Sequence, residues 1–546
     1  MVGRRSPHVV ILAIAFTWLA AVRAAHPVRG LGNPDIAGIL YSADVILDGG
    51  LPYRDTLDLK PPGSFFLVAG VFRLVARELW AVHAAYLAWV SLAAPAIWVA
   101  GRALYGDSPR GKLASSVGVL LYCVSAGAFD LNYSQWMATP YAWAFALALV
   151  GVRTGRRVYP FAAGALVAVA YAFKHQAVVL GVMFLLLLVW GRRRGEPGAH
   201  GRALVSFTLG GLGGLLPLGI VYALGGALPD LMQGLFPIGE AARYSSVAVP
   251  VDSPFTLLFR VPHQQIRGFP LQLVASLAAV LGVVVLRRRG AEAPAAAHEA
   301  AAAPMAPQLA FYALGIVACG LGGLRFYAHY LIQCLPALAL LGAHPAAWWW
   351  LAPRSLPRSK GASLLGRVHL LALLTILGVM LVQIPLRKSA IVDNYGEPSV
   401  EQAGAYIRAR TEPGDTIVVW GWSGWGVYYF ADRRSPSRVF KMVGQVTTYN
   451  DNSRLSRGRS LEFVAGPVAD QLVADVLEKR PAFFVRAAPF FPGTRRDPLD
   501  DFAALRQVLE RDYVSVEVFD KLTLYERRDR RAPELPRGRL RFGAPR

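Results

Sequence analysis

The stretch SFFLVAGVFRLVAR, residues 64–77, is apolar enough to be taken for a membrane span, and whether it is one decides how the whole chain is threaded. It falls short of the roughly 20 residues that carry a helix across the hydrocarbon core, and Arg73 interrupts it. The basic residues elsewhere decide the point. Apolar runs at 9–25, 79–100, 113–130, 141–152, 158–173, 177–190, 204–224, 269–286, 308–322, 331–350 and 367–386 give about eleven spans, the run at 141–152 being short and expected to start earlier. With 64–77 left out, the clusters Arg4 and Arg5, Arg102 with Arg110 and Lys112, Arg153 with Arg156 and Arg157, Arg192 to Arg194, Arg287 to Arg289, and Arg354 with Arg358, Lys360 and Arg367 all fall on one side, the cytoplasmic one. Counting 64–77 as a span would invert every later cluster. It is therefore read as a juxtamembrane helix lying in the interface.

Composition agrees with a polytopic α-helical membrane protein. Of 546 residues, 54% are hydrophobic and only 17% charged, too apolar for a soluble multidomain chain. From Lys388 the patterning becomes that of a soluble protein, which places a transmembrane domain over 1–387 and an extracytoplasmic α/β domain over 388–546. The net charge of +22 would suit nucleic acid, but the short basic clusters between apolar runs are the way topology is written, so the lipid bilayer is the expected partner and nucleic acid is not. Cys123, Cys319 and Cys334 lie in apolar stretches without metal-ligand spacing and read as core residues. The N-terminus, MVGRRSPH followed by VVILAIAFTWLAAVRAA, has the features of a signal peptide and is read as a retained first helix; in either case residue 26 onward emerges outside.

The segment 26–78 then forms one long outer loop, with LPYRDTLDLKPPG (51–63) at its middle and Asp35, Asp44, Asp48, Asp55 and Asp58 along it. Acidic residues are scarce in the rest of the membrane part. On the same topology, polar residues at span ends converge on the outer face: Asp130, Asn132 and Gln135; Lys174, His175 and Gln176; Arg325, Tyr327, His329 and Tyr330. Any one of them could be a solvated or snorkelling side chain. As a set drawn from several loops they point to a site, because ionisable groups at membrane depth are costly. A carboxylate for general-base work beside cations that hold an anionic leaving group is the chemistry such a set can do.

The block NPDIAGILYSADVILDGGLPYRDTLDLKPPGSFFL (33–67) resembles the first-loop signature of the GT-C glycosyltransferases, in the branch of the protein O-mannosyltransferases and the lipid A aminoarabinose transferase. FKHQAV (173–178), LRFYAHYLIQCLPALALL (324–341) and PGDTIVVWGWSGWGVYYFADRRSPSR (413–438) are further echoes. The resemblance implies a GT-C fold and a hexosyl- or pentosyltransferase that moves a sugar, with inversion, from a polyprenyl-phosphate carrier to a glycan, lipid or protein acceptor on the outer face of the cell (inner) membrane. It implies Asp35 as the catalytic base, Lys60 and Lys174 as ligands of the donor phosphate with Arg325 and His329 beside them, and Tyr53, Asp55, Asp58, His175, Gln176 and Tyr327 as candidate substrate contacts. The chain departs from the pattern at Ile36, where many relatives have Glu, and around Asp130. No metal or other cofactor is expected, since the donor carries a single phosphate. A transporter or flippase for a lipid-linked sugar is the alternative, but it would place broken helices and charges near the midplane. A membrane scaffold would leave Asp35, Lys60 and Lys174 without a purpose.

In the tail, TIVVWG, FFVRA and VSVEVF read as strands and PVADQLVADVLEKR and PLDDFAALRQVLERDY as amphipathic helices. GWSGWG (421–426) lacks the spacing and downstream acid of a dinucleotide fingerprint and reads as an aromatic turn. Trp420, Trp422 and Trp425 are expected to stack on a sugar or sit at the membrane interface.

Overall fold

The computed structural model describes residues 31, 34–125, 131, 133–179, 181–182, 187, 199–236, 254–289, 304–321, 326, 328–351, 367–379, 397–449, 461–491, 494 and 496–530. It divides into two compact units, one of Met1–Tyr53 with Asp58–Asn394 and one of Arg54–Leu57 with Tyr395–Arg546.

The first unit is helical. Its described elements are α1 (Pro34–Leu47), α2 (Gly63–Leu74), α3 (Leu79–Ser91), α4 (Ala93–Tyr105), α5 (Pro109–Ser125), α6 (Tyr133–Thr154), α7 (Val158–Phe173), α8 (Ala199–Leu224), α9 (Leu228–Leu235), α10 (Pro254–Gly268), α11 (Pro270–Arg289), α12 (Ala306–Gly320) and α13 (Leu335–Ala343), followed by α14 (Arg367–Val379). Leu79–Tyr105, Gly201–Leu224 and Pro270–Arg288 are long and apolar enough to cross a membrane; Gly63–Leu74, Val158–Phe173, Ala306–Gly320, His329–Ala343 and Arg367–Val379 are shorter apolar helices. The run read at 141–152 does begin earlier, at Tyr133. The expected spans 9–25 and most of 177–190 lie outside the described residues.

Among the described helices, α1, α9 and α10 have no counterpart in the hydropathy reading. Helix α1 starts where Pro34 and Asp35 stand together. A proline loses nothing at a first turn whose N–H groups are unpaired, and an acid there complements the positive end of the helix dipole. The acidic loop is thus partly a helix.

Prolines inside the helices leave backbone carbonyls without donors, and side chains from neighbouring helices supply them. Pro140 in α6 has no N–H to offer the carbonyl of Trp136. The Trp89 indole donates to that carbonyl at 2.8 Å. Where α3 gives way to α4, the helix break is bridged in a similar way: the Trp143 indole donates to the Leu92 carbonyl at 2.7 Å and the Thr139 hydroxyl to the Trp89 carbonyl at 3.0 Å. In surroundings without water such repairs are required rather than optional. The three cysteines are buried and free, as expected.

The second unit carries a four-stranded sheet in the order β1–β4–β6–β5, from β1 (Ile417–Trp420), β4 (Phe483–Ala487), β5 (Tyr513–Phe519) and β6 (Leu522–Arg527). Strands β1 and β4 are parallel, pairing Ile417 with Phe483, and the remaining pairs are antiparallel. β2 (Thr447–Tyr449) and β3 (Leu461–Phe463) form a separate antiparallel pair. Its described α-helices are α15 (Glu397–Arg408), α16 (Gly426–Ala431), α17 (Pro467–Lys479) and α18 (Ala503–Asp512). All four residues of β1 are buried, as a parallel strand covered on both faces requires. Leu57, from the first loop, packs against this unit's core, and its N–H donates to the Arg438 carbonyl at 2.7 Å.

The tryptophans correct the sequence reading. Trp420 belongs to the core, packed on Phe490 and Phe502, and Trp422 and Trp425 are buried, Trp422 against Phe491 and Trp425, so the three rings are not exposed for a sugar or a membrane surface. A strand buried on both faces, followed by a tight turn, turns its aromatics inward.

Trp89→Phe removes the donor to the Trp136 carbonyl and is expected to cost about 1–3 kcal/mol. The thermal unfolding midpoint in detergent reads this directly; a midpoint equal to wild type would mean that the carbonyl finds another donor.

Candidate functional site

The site is built around the turn that ends α7. Phe173 is its last residue, and Lys174 leaves the helix with extended backbone. The Lys174 side chain is buried, donates from Nζ to Ser134 Oγ at 2.5 Å, and lies over the ring of Tyr330, 3.7 Å from its centroid. A cation on an aromatic face is attracted by the ring quadrupole, so burial of Lys174 is partly offset there. His329 stands edge-on to the same ring at 4.7 Å.

Lys60 is brought here by the start of α2. A Cβ on Gly63 would sit 2.6 Å from the Ala172 carbonyl oxygen, so only glycine lets the two backbones approach this closely. The segment before Gly63 is closed on itself: Asp58 Oδ1 accepts the Lys60 N–H at 3.1 Å, and the Tyr53 hydroxyl donates to the Lys60 carbonyl at 2.8 Å. Tyr53 adopts a left-handed backbone, φ 71°. This conformation is strained for a side-chain-bearing residue and clusters at functional sites. Its phenol is held well above the usual tyrosine range by burial, then by Tyr222, Asp58 and Tyr171, so it stays a hydrogen-bond donor.

Helix α9 supplies the next wall. The Gly234 carbonyl accepts from His175 Nε2 at 3.1 Å, and Tyr53 lies across Gly234 so closely that no Cβ would fit. His175 packs edge-on to Tyr171 at 5.5 Å. Burial, against the opposing effect of the Gly234 bond and with a smaller contribution from Lys60 within electrostatic reach, lowers its pKa to about 4. His175 is therefore a neutral imidazole at physiological pH.

The carboxylates approach from α1 and the loop. Asp58 Oδ2 accepts from the Tyr133 hydroxyl at 3.4 Å, and both Asp58 and Asp35 lie within electrostatic reach of that phenol. Asp35 occupies the first turn of α1 and is half-buried. Tyr133 thus joins the carboxylates to the first turn of α6, where Ser134 holds Lys174.

Of the residues singled out in the sequence, Asp35, Tyr53, Asp58, Lys60, Lys174, His175, Gln176 and His329 are described in this unit. Gln176 is buried beside His175, and its Oε1 has no hydrogen-bond partner among the described residues. Asp55 belongs to the other unit, where its carboxylate accepts from neighbouring Arg54 at 2.8 Å. Arg325, Tyr327, Asp130 and Asn132 lie outside the described residues. The sequence reading missed Tyr133, Ser134 and Gly234. Tyr133 and Ser134 sat inside a polar stretch already flagged at Gln135; Gly234 carried no signal. Among the described residues no group of three His, Cys, Asp or Glu side chains is placed to hold a metal.

The cluster occupies one end of the helices. Tyr133 and Ser134 open α6, which runs 22 residues, about 33 Å, to Thr154. At its far end Arg153 reaches Asp107 at 3.1 Å, and Arg102 pairs with the same carboxylate. Two of the basic clusters read as cytoplasmic therefore meet at the end of α6 opposite the site.

Residues 59–209 match the family model for dolichyl-phosphate-mannose-protein mannosyltransferase. Among solved structures, ArnT from Cupriavidus metallidurans bound to undecaprenyl phosphate is 14% identical, with a TM-score of 0.55 over 96% of this chain and 99% of that one. ArnT from the same organism in the apo state is 14% identical, with a TM-score of 0.56 over 95% and 97%. The Archaeoglobus fulgidus oligosaccharyltransferase in complex with zinc and sulfate is 12% identical, with a TM-score of 0.49 over 87% and 68%. No curated protein sequence matches the chain significantly. The chain is thus similar to GT-C glycosyltransferases, in fold over nearly its whole length and in sequence over 59–209, as the first-loop signature implied.

Burial of His175 predicts a pH dependence. Its folded pKa lies below the unfolded value near 6.5, so the unfolded chain binds the proton first as pH falls. Stability is full above pH 6.5 and is lost on acidification toward 4, at about 1.4 kcal/mol per unit. His175→Gln, which keeps a donor for Gly234, is expected to flatten the fall in unfolding midpoint between pH 6.5 and 4.5; an unchanged slope would assign the acid sensitivity to other groups.

Proposed function

We propose that the chain is an inverting glycosyltransferase that moves a sugar from a polyprenyl-phosphate carrier to an acceptor hydroxyl at the outer face of the membrane. One observation carries the reading: two lysines distant in sequence, Lys60 and Lys174, are held at the same helix ends, with the half-buried carboxylate of Asp35 nearby through Tyr133. The shared fold with ArnT, whose structure holds undecaprenyl phosphate, supports the donor class.

In this reading Asp35 takes the proton of the acceptor hydroxyl as its oxygen attacks the anomeric carbon from the face opposite the phosphate. The bond from that carbon to the phosphate oxygen breaks, and the electron pair leaves with the polyprenyl phosphate. Charge builds on the leaving phosphate in the transition state, so cations aimed at it stabilise that state more than the bound donor. Lys60 and Lys174 take this part, with Arg325 and His329 as further contacts. Neutral His175 and the amide of Gln176 are suited to sugar hydroxyls, and Asp58 and Tyr53 hold Lys60 in place. The basic ends at Arg102 and Arg153 support an outward setting of the opposite, lysine-bearing ends. The second unit then lies outside as well, where it can meet the acceptor. No step calls for a metal.

Asp35→Asn is expected to reduce transfer from a labelled polyprenyl-phosphate sugar in membranes by at least about 100-fold, the usual scale of general-base catalysis, with insertion unchanged. Lys60→Met and Lys174→Met should raise the donor KM more than the acceptor KM. Full activity in the Asp35 variant would remove the base from the scheme.

A further inference from the structure

Helix α1 is buried almost all the way round. Every residue from Ile36 to Asp44 is buried, so each face of the helix is covered. Apart from Ser42 and Asp44, those side chains are apolar or, like Tyr41, largely so. Close packing sets such a helix by shape, and a directional polar contact adds to that setting. Asp44 supplies one. Its side chain is 2% exposed and accepts two bonds from Arg77, Nε to Oδ1 and Nη2 to Oδ2, both at 2.7 Å. A two-pronged guanidinium–carboxylate contact fixes direction as well as distance.

The placement of the pair matters. Asp44 follows Asp35 by about two and a half turns, roughly 13 Å along the axis and on the opposite side of the helix. Holding Asp44 on one side therefore sets where Asp35 points on the other. Arg77 lies just past the end of α2, whose start follows Lys60 and presses on Ala172.

We propose that Asp44 and Arg77 are positioning residues, which fix the rotation of α1 and so aim the Asp35 carboxylate relative to Lys60. The inference rests on Asp35 acting as the base. Buried ion pairs are weak sources of stability but can specify register, and this is the use made of one here.

The test replaces the pair by apolar side chains of similar size, Asp44→Leu with Arg77→Met. Such exchanges are often neutral or stabilising, so the fold is kept. Spin labels on Leu47→Cys and Leu74→Cys, exposed at 40% and 84%, report the setting of α1 against α2; the native cysteines are buried. The double variant should broaden the label distance distribution and lower kcat by about 100-fold, the scale of a small misplacement, while the unfolding midpoint and donor KM hold. Arg77→Lys, which keeps the charge and loses the fork, should also broaden the distribution and serves if the double variant does not fold. A native distribution overturns the proposal, as does a native kcat with a broadened one. A loss of rate that only follows a loss of folded protein overturns it too. If wild type transfers no sugar, the proposed function fails, while the label distances still decide whether the pair sets the helix.

Discussion

The contact between Gly63 and the Ala172 carbonyl governs the arrangement of the first unit. It joins the start of α2 to the end of α7 through backbone alone, since a Cβ at position 63 would come within 2.6 Å of that oxygen. Lys60 lies just before this contact and Lys174 just after it. Lys174 has the Tyr330 face and Ser134, and the Lys60 segment is tied to Asp58 and Tyr53. In the proposed function a phosphate would be met by both lysines.

The rest of the site follows from what that contact leaves to be filled. Tyr53 closes the loop ahead of Lys60 in a strained backbone conformation, and Gly234 lets α9 lie flat against its ring. Asp58, Tyr133 and Asp35 form a second, acidic side, linked to the first through the opening turn of α6. The same helix carries Arg153 at its other end, so one element separates the candidate chemistry from the basic loops by about the thickness of a bilayer core.

Much of this could be read from residues. Hydropathy found α7 and the span of α3–α4, and the basic clusters demoted 64–77 to a short helix, which α2 is. Strand and helix patterns in the tail coincide with β1, β4, β5, α17 and α18. The Lys60 and Lys174 motifs were legible because charge is conspicuous in an apolar chain. What was not legible depends on contacts across long separations. Nothing in a single chain says that Gly234 faces Tyr53, that Asp44 meets Arg77, or that Trp89 completes the carbonyl left open by Pro140. The tryptophans of 420–425 misled for a related reason: their composition suits an exposed platform, whereas Trp420 lies in the core behind the pairing of β1 with β4 and Trp422 and Trp425 are buried after it.

The central claim is that the two lysines recognise a lipid-linked phosphate. Native mass spectrometry of the purified protein in nanodiscs, offered undecaprenyl phosphate and undecaprenol at equal amounts, tests it without requiring knowledge of the sugar or the acceptor. The account predicts that the phosphate is retained and the alcohol is not, and that replacing both lysines by methionine removes the difference. Equal retention of the two lipids by wild type, or undiminished retention of the phosphate by the double variant, would contradict it.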